Sequence, residues 1–214
     1  MTYSAADAAD DLDAVTDLLI ATLRPLAGRD WTARAAGLEW NCLETAEHVG
    51  QVFAHYGSQV AIRAQTRYVR WAARAQQPDA PPDGFLDFVE ATGRIFALVI
   101  RATPDEARIF HPYGLADPAG FAAGGCVEGL IHGQDIARGL GSELRPPAPL
   151  CERLRARLFP HYGEETASLD PWRAVQWATG RLESSGAARK WKWRATPLEE
   201  EWVITTAQPR AFVT

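Results

Sequence analysis

Glu128 and His132 are the two residues of this chain best spaced to hold a cation. They lie in the stretch Gly125-Cys126-Val127-Glu128-Gly129-Leu130-Ile131-His132-Gly133-Gln134-Asp135-Ile136-Ala137. Read as a helix, that stretch puts them one turn apart on the same side, with Asp135 three residues further on. A carboxylate and an imidazole at i and i+4 can grip one metal ion without bending the backbone, as ligands in helical bundles do. The same pair also occurs as a solvated or hydrogen-bonded pair, so a metal role needs a third ligand from elsewhere. Asp135 is suited to orient His132 from behind, or to pair with Arg138.

The element that must carry a partner for this pair has the clearest start signal in the chain. Asn41 is a good N-cap and Glu44 sits three residues on, a capping-box pattern that gives Glu44 a sufficient role without a place in any site. From there the pattern predicts a helix over residues 42–75. His48, Gln51 and His55 share one of its faces, and Arg63, Arg67, Arg70 and Arg74 form a stripe further along. That stripe reads as a solvated face or as an anchor for a carboxylate ligand, with Arg63 and Arg67 as the candidate cofactor-binding pair. His55 reads as a core or interfacial histidine. His111 and His161, in loops beside Pro and Tyr, read as structural.

Composition bounds the function. The chain has 214 residues, 47% of them hydrophobic, enough for a globular core. A net charge of −5 and a pI near 5.6 argue against a nucleic-acid binder. No apolar run approaches membrane-spanning length and the first residues do not form a signal peptide, so the expectation is a soluble cytoplasmic protein. Cys42, Cys126 and Cys151 are an odd set without paired spacing, which disfavours a disulfide framework or a cysteine zinc site. Cys126 is turned away from the Glu128 face. Nearly all basic residues are arginine, a bias that points to a high-GC bacterial genome.

The remaining elements follow from periodicity and punctuation. A first helix is predicted over 5–26, with Leu12, Val15, Leu18, Leu19, Thr22 and Leu23 inward. A third spans 85–102, with Phe88, Ile95, Phe96, Val99 and Ile100 as its core side. Asp117-Pro118 caps a fourth helix that runs to Leu140 and ends at Gly141. Its many glycines weaken it by propensity but admit a neighbour or a ligand close to the backbone. After the rigid Arg145-Pro146-Pro147-Ala148-Pro149 joint come helices over 150–159 and, capped by Asp170-Pro171, over 172–182. Trp191-Lys192-Trp193-Arg194 and Trp202-Val203-Ile204-Thr205-Thr206 could pair as a short hairpin or lie as an extended tail, and no large sheet is expected. The division is 1–145 as a helical bundle and 146–214 as a C-terminal extension packed on it.

Two segments carry a family resemblance. Trp40-Asn41-Cys42-Leu43-Glu44-Thr45-Ala46-Glu47-His48-Val49 resembles the Trp-x-x-x-Glu-x-x-x-His start of the second helix in the DinB-like superfamily. Residues Glu128 to Gly141 resemble the Glu-x-x-x-His-x-x-Asp-(Ile/Val)-Ala-x-x-Leu-Gly signature in the N-terminal metal-binding domain of mycothiol-dependent maleylpyruvate isomerases. The connector Phe110-His111-Pro112-Tyr113-Gly114-Leu115-Ala116-Asp117-Pro118 is similar to that family's as well. The resemblance implies an all-α, DinB-like four-helix bundle with metal ligands His48, Glu128 and His132, a divalent metal such as zinc, and mycothiol or a similar thiol as cosubstrate. The family often has Trp where Gln134 stands, and the isomerase carries a larger C-terminal domain than the roughly seventy residues that follow Gly141 here.

The function implied is activation of a small thiol for S-transfer or thiol-assisted isomerisation of a small electrophilic substrate, with no protein nucleophile required. Two other readings stand beside it: a non-catalytic metal- or ligand-binding bundle with a regulatory role, and a structural helical protein with a vestigial triad. Dimerisation is common among such bundles, so a homodimer is a possible state that no surface pattern decides.

Overall fold

A capping box opens the first helix. The Asp7 N–H donates to Ser4 Oγ and the Ser4 N–H to Asp7 Oδ2, each at 3.2 Å, so side chains satisfy two of the amides orphaned at a helix start. The computed structural model describes residues 3–69, 80–182 and 192–203, and is mostly helical with one small two-stranded sheet. α1 runs Ala5–Leu23 and tightens into a 3₁₀ turn at Pro25. Ala8, Leu12, Val15, Leu19 and Leu23, three and four apart, form its buried stripe.

α2 (Cys42–Ala61) starts where the Asn41–Glu44 box places it, with both reciprocal bonds at 2.8 Å. It stops well short of residue 75, which corrects the sequence reading. Arg63 takes a φ of 49°. Its N–H donates to Val60 O at 3.0 Å and the Ala64 N–H to Gln59 O at 3.3 Å, the closure that glycine usually serves. A non-glycine residue there costs about 1–2 kcal/mol. Buried Gln59 offsets that cost: its Nε2 donates to the carbonyls of Arg67 (3.2 Å) and Phe110 (3.1 Å), and its Oε1 accepts the Val69 N–H at 2.8 Å. The chain after α2 is thereby folded back onto the 109–116 hairpin. Arg63 and Arg67 are exposed members of that segment, so no helical stripe forms through them; Arg70 and Arg74 lie outside the described residues.

α3 (Pro82–Arg101) begins with proline in its first turn, earlier than residue 85. Phe85, Leu86, Val89, Phe96, Ala97 and Ile100 are buried, whereas Ile95 is 58% exposed. The helix is rotated so that Phe96 faces α2, and a Cβ at Gly57 would stand 3.5 Å from the Phe96 Cα. Arg94 pairs with Asp13 at 2.9 Å, and Arg101 with Asp10 at 2.6 Å and Asp13 at 2.7 Å. These partly exposed pairs tie α3 to α1 and contribute about 0.2–1 kcal/mol each.

The connection to the next helix holds the sheet: β1 (Ile109–His111) pairs antiparallel with β2 (Gly114–Ala116), Ile109 opposite Ala116. Gly114, at φ 125°, makes the return possible. Asp117 then accepts the Gly120 N–H at 2.8 Å and starts α4 (Pro118–Gly139). α4 is buried almost all round, packed by α1, α2, α3 and the following helix α5 (Ala148–Leu158). Its glycines admit neighbours: a Cβ at Gly133 would lie 2.2 Å from Leu19 Cδ2, and one at Gly139 2.5 Å from the Arg34 carbonyl.

α5 also packs against α7 (Pro171–Ala178), with the single turn α6 (Gly163–Thr166) between them. α7 ends before residue 182 because Gly180 turns the chain at φ 75°. Residues 192–203 contain no strand; they lie as an irregular segment, with a turn at 197–200, over the hairpin and α4, with Trp193 buried and its ring 4.2 Å from that of His111. Buried Arg157 holds this segment by donating to the carbonyls of Arg194 and Ala195, both at 3.0 Å. Trp191 and residues 204–206, the other parts of the expected hairpin, lie outside the described residues. No helix of the described residues is long and apolar enough to cross a membrane.

Candidate metal centre

Two long helices bring the site together. His48 sits in the second turn of α2, whose register is set by the Asn41 cap. Glu128 and His132 sit one turn apart in the middle of α4. The loop leading into α2 is locked onto the end of α4. The Ala36 N–H donates to Asp135 O at 2.8 Å, the Ala35 N–H to Trp40 O at 3.0 Å, and Gly139 passes against the Arg34 backbone.

In this arrangement one ligand atom from each of His48, Glu128 and His132 falls within 4.8 Å of the others. His48 Nε2 is 3.8 Å and His132 Nε2 3.5 Å from the same oxygen, Glu128 Oε2. The imidazole rings meet edge to face, centroids 4.9 Å apart. A tetrahedral ion with ligand bonds near 2.0–2.1 Å spaces its ligand atoms about 3.4 Å apart. Both distances to Glu128 lie within about half an ångström of that spacing, and this group could hold a metal ion. Among the described residues, the expected trio converges.

The surroundings set the charge of the group. Burial alone would raise the Glu128 carboxyl, but the hydrogen bonds and charges of His132 and His48 hold it down at about 2. Burial opposes charge on His132 also, yet Asp135 and Glu128 raise it above the usual histidine value. His132 Nδ1 faces Asp135 Oδ2 at 3.3 Å, leaving Nε2 for the centre. Asp135 thus stands behind His132 as expected, but its cationic partner is Arg181 and not Arg138. Trp40 covers the site, its ring 4.9 Å from His48 and 6.4 Å from His132.

Comparison with known proteins finds no matching family model, no matching curated protein and no matching solved structure. The site is therefore read from its own geometry.

The other candidates fall elsewhere. Glu44 is used by the helix cap. His55 and His111 are buried among aromatic rings, and desolvation lowers them to about 4 and about 3. His161 lies by Tyr162 and the Lys192 carbonyl, at 3.1 Å. Gln134 accepts the Leu144 N–H at 2.6 Å and shapes the turn after α4. Cys126 is fully buried toward Asp11 and Arg153.

Two features were not legible beforehand. One is Arg181, which follows no motif. The other is a set of phenols, Tyr56, Tyr68 and Tyr113, each raised by burial and further by the charge of Glu128. Tyr68 reaches this region only because α2 ends early.

Proposed function

We propose that the chain is a DinB-like four-helix bundle in which His48, Glu128 and His132 hold one divalent cation, zinc by ligand preference. Its reaction is activation of a low-molecular-weight thiol of the mycothiol kind, for S-transfer to, or thiol-assisted isomerisation of, a small electrophile. The observation that carries this reading is the convergence of both Nε2 atoms on one Glu128 oxygen, from helices far apart in the chain.

Two imidazoles and one carboxylate leave at least one coordination position for a non-protein ligand, the pattern of reactive sites and not of closed structural ones. A cation bound there would favour the thiolate form of a coordinated thiol at neutral pH. The chain's own residues have separate tasks. Glu128 supplies negative charge that burial does not quench. Asp135 Oδ2, 3.3 Å from His132 Nδ1, favours the proton on that nitrogen and so keeps the Nε2 lone pair directed at the centre. Trp40 excludes water from one side. The protein's own thiols are not competitors: burial pushes Cys42 up to about 11 and Cys151 up to about 12, and also raises Cys126. The nucleophile accordingly comes with the cosubstrate.

A second reading, a non-catalytic metal- or ligand-binding module, draws on the low exposure of the centre. The side chains of His48, Glu128 and His132 are only 19, 17 and 9% exposed. Elemental analysis of protein purified without added metal, followed by conjugation of a model electrophile with and without thiol and chelator, separates the two. The reaction expects about one metal per chain and turnover that needs both metal and thiol and is lost in His48→Ala. Bound metal without turnover supports the binding module. No metal in the wild-type chain, together with no effect of His48→Ala, rejects metal binding in either reading and favours a structural helical protein with a vestigial triad.

A further inference from the structure

We propose that Arg181 is a positioning residue of the metal centre: it clamps Asp135, and through Asp135 it fixes the ring of His132. The inference rests on the metal-binding reading of the site and extends it to a part of the chain that the triad does not include.

The geometry is specific. Arg181 approaches Asp135 with two nitrogens, Nε at 3.2 Å from Oδ1 and 3.3 Å from Oδ2, and Nη2 at 2.9 Å from Oδ2. This side-on fork sets the plane of the carboxylate as a single ammonium contact cannot. The same Oδ2 lies 3.3 Å from His132 Nδ1. Arg181, Asp135 and His132 therefore form one chain of contacts ending on an imidazole whose other nitrogen faces Glu128.

The backbone is arranged to deliver Arg181 to this place. α7 ends at Ala178, and Gly180 adopts a φ of 75°. The Arg181 N–H then donates to Gln176 O at 2.8 Å and the Gly180 N–H to Trp177 O at 3.1 Å. A helix end closed this way turns the next side chain sharply off the helix axis. Here it turns it onto α4. Asp135 is 4% exposed, and a carboxylate so buried needs a fixed partner. The C-terminal extension is thus part of the site through one residue.

Outer partners of metal-bound histidines typically alter metal affinity by about 10–100-fold. The test is zinc affinity of wild type, Arg181→Met, Arg181→Lys, Asp135→Asn and the Arg181→Met/Asp135→Asn double variant, measured by competition with a chromophoric chelator. The visible spectra of the cobalt-loaded proteins and the melting temperatures of the metal-free proteins are recorded beside it. The proposal expects Arg181→Met to lose about 10-fold or more, Arg181→Lys to recover part of it, and the cobalt spectrum to change. The double variant should lose little beyond Asp135→Asn alone, since both act through one contact. Zinc affinity within twofold of wild type in a folded Arg181→Met protein, with only its melting temperature lowered, would overturn the proposal. If Arg181→Met does not fold, Arg181→Lys, which keeps the charge and removes the fork, decides: zinc affinity more than about twofold below wild type with an altered cobalt spectrum supports the proposal, and any other result overturns it. Absence of zinc binding by the wild type would instead reject the metal reading on which the proposal stands.

Discussion

His48 Nε2 and His132 Nε2 approach the same oxygen of Glu128, at 3.8 and 3.5 Å, although His48 belongs to α2 and the other two to α4. Without a cation, the α4 pair of Glu128 and His132 is held by opposite charge. His132 is raised above its usual value and Glu128 is lowered to about 2. The raised histidine contributes stability that is complete below pH 6.5 and is lost as pH rises through its folded value. The lowered carboxyl contributes stability that is complete above pH 4.5 and is lost as pH falls toward 2. The metal-free centre is therefore most stabilising between about pH 4.5 and 6.5.

A cation held by His132 would have to displace the proton that this raised histidine carries, so its affinity would grow as that proton leaves. The rise in melting temperature caused by saturating zinc is expected to be larger at pH 8 than at pH 6. Calorimetry should show proton release on zinc binding at pH 6.5. A zinc effect independent of pH across this range would mean that the metal does not bind at His132.

His55 and His111 also contribute to the acid side of the stability curve. Both are buried and held neutral, at about 4 and about 3. The unfolded chain takes up protons near pH 6.5 that the folded chain refuses until much lower pH. Stability should therefore decline as pH falls from 6.5 toward 3, with this contribution present above pH 6.5. His111→Gln should flatten the decline, measured as the difference in urea midpoint between pH 7 and pH 5. An unchanged slope would show that His111 titrates normally.

Gln59 holds the segment after α2 in place through three hydrogen bonds to Arg67, Val69 and Phe110. Replacing it by leucine leaves the buried Phe110 carbonyl unpaired, at about 1–3 kcal/mol, and frees the part-buried Arg67 carbonyl and Val69 N–H. Gln59→Leu is expected to lose at least about 2 kcal/mol in urea unfolding. Hydrogen exchange should quicken first at Val69.

Gly139 lies where α4 meets the loop that carries Trp40. A Cβ would stand 2.5 Å from the Arg34 carbonyl, backbone that cannot rotate away. Gly139→Ala gains helix propensity of about 1 kcal/mol but must push the loop off. A net loss of about 1–3 kcal/mol is expected, together with weaker zinc binding, because Trp40 and the α2 start move with the loop. Gly28→Ala, with nothing within 4 Å of the added Cβ, is the control and should stay close to wild-type stability.

Local signals were enough for a large part of this molecule. The Asn41–Glu44 box, the Asp117-Pro118 start, the Gly141 stop and the i, i+4 pairing of Glu128 with His132 depend on residues a few positions apart, and one helical turn dictates what they can do. That is why the starts of α2 and α4, and two of the three donor residues, could be named from the amino acids alone. Other features depend on contacts across the chain. The end of α2 is set by Gln59 reaching to Phe110, and no glycine marks it. The rotation of α3 that exposes Ile95 is chosen by Phe96 packing against the glycine-thinned faces of α2 and α4. Arg181 meets Asp135 only because Gly180 redirects the chain and α5 carries α7 to α4. Hydrogen bonds within a turn are written in neighbouring residues; which distant side chain fills a given partner's reach depends on how whole helices pack.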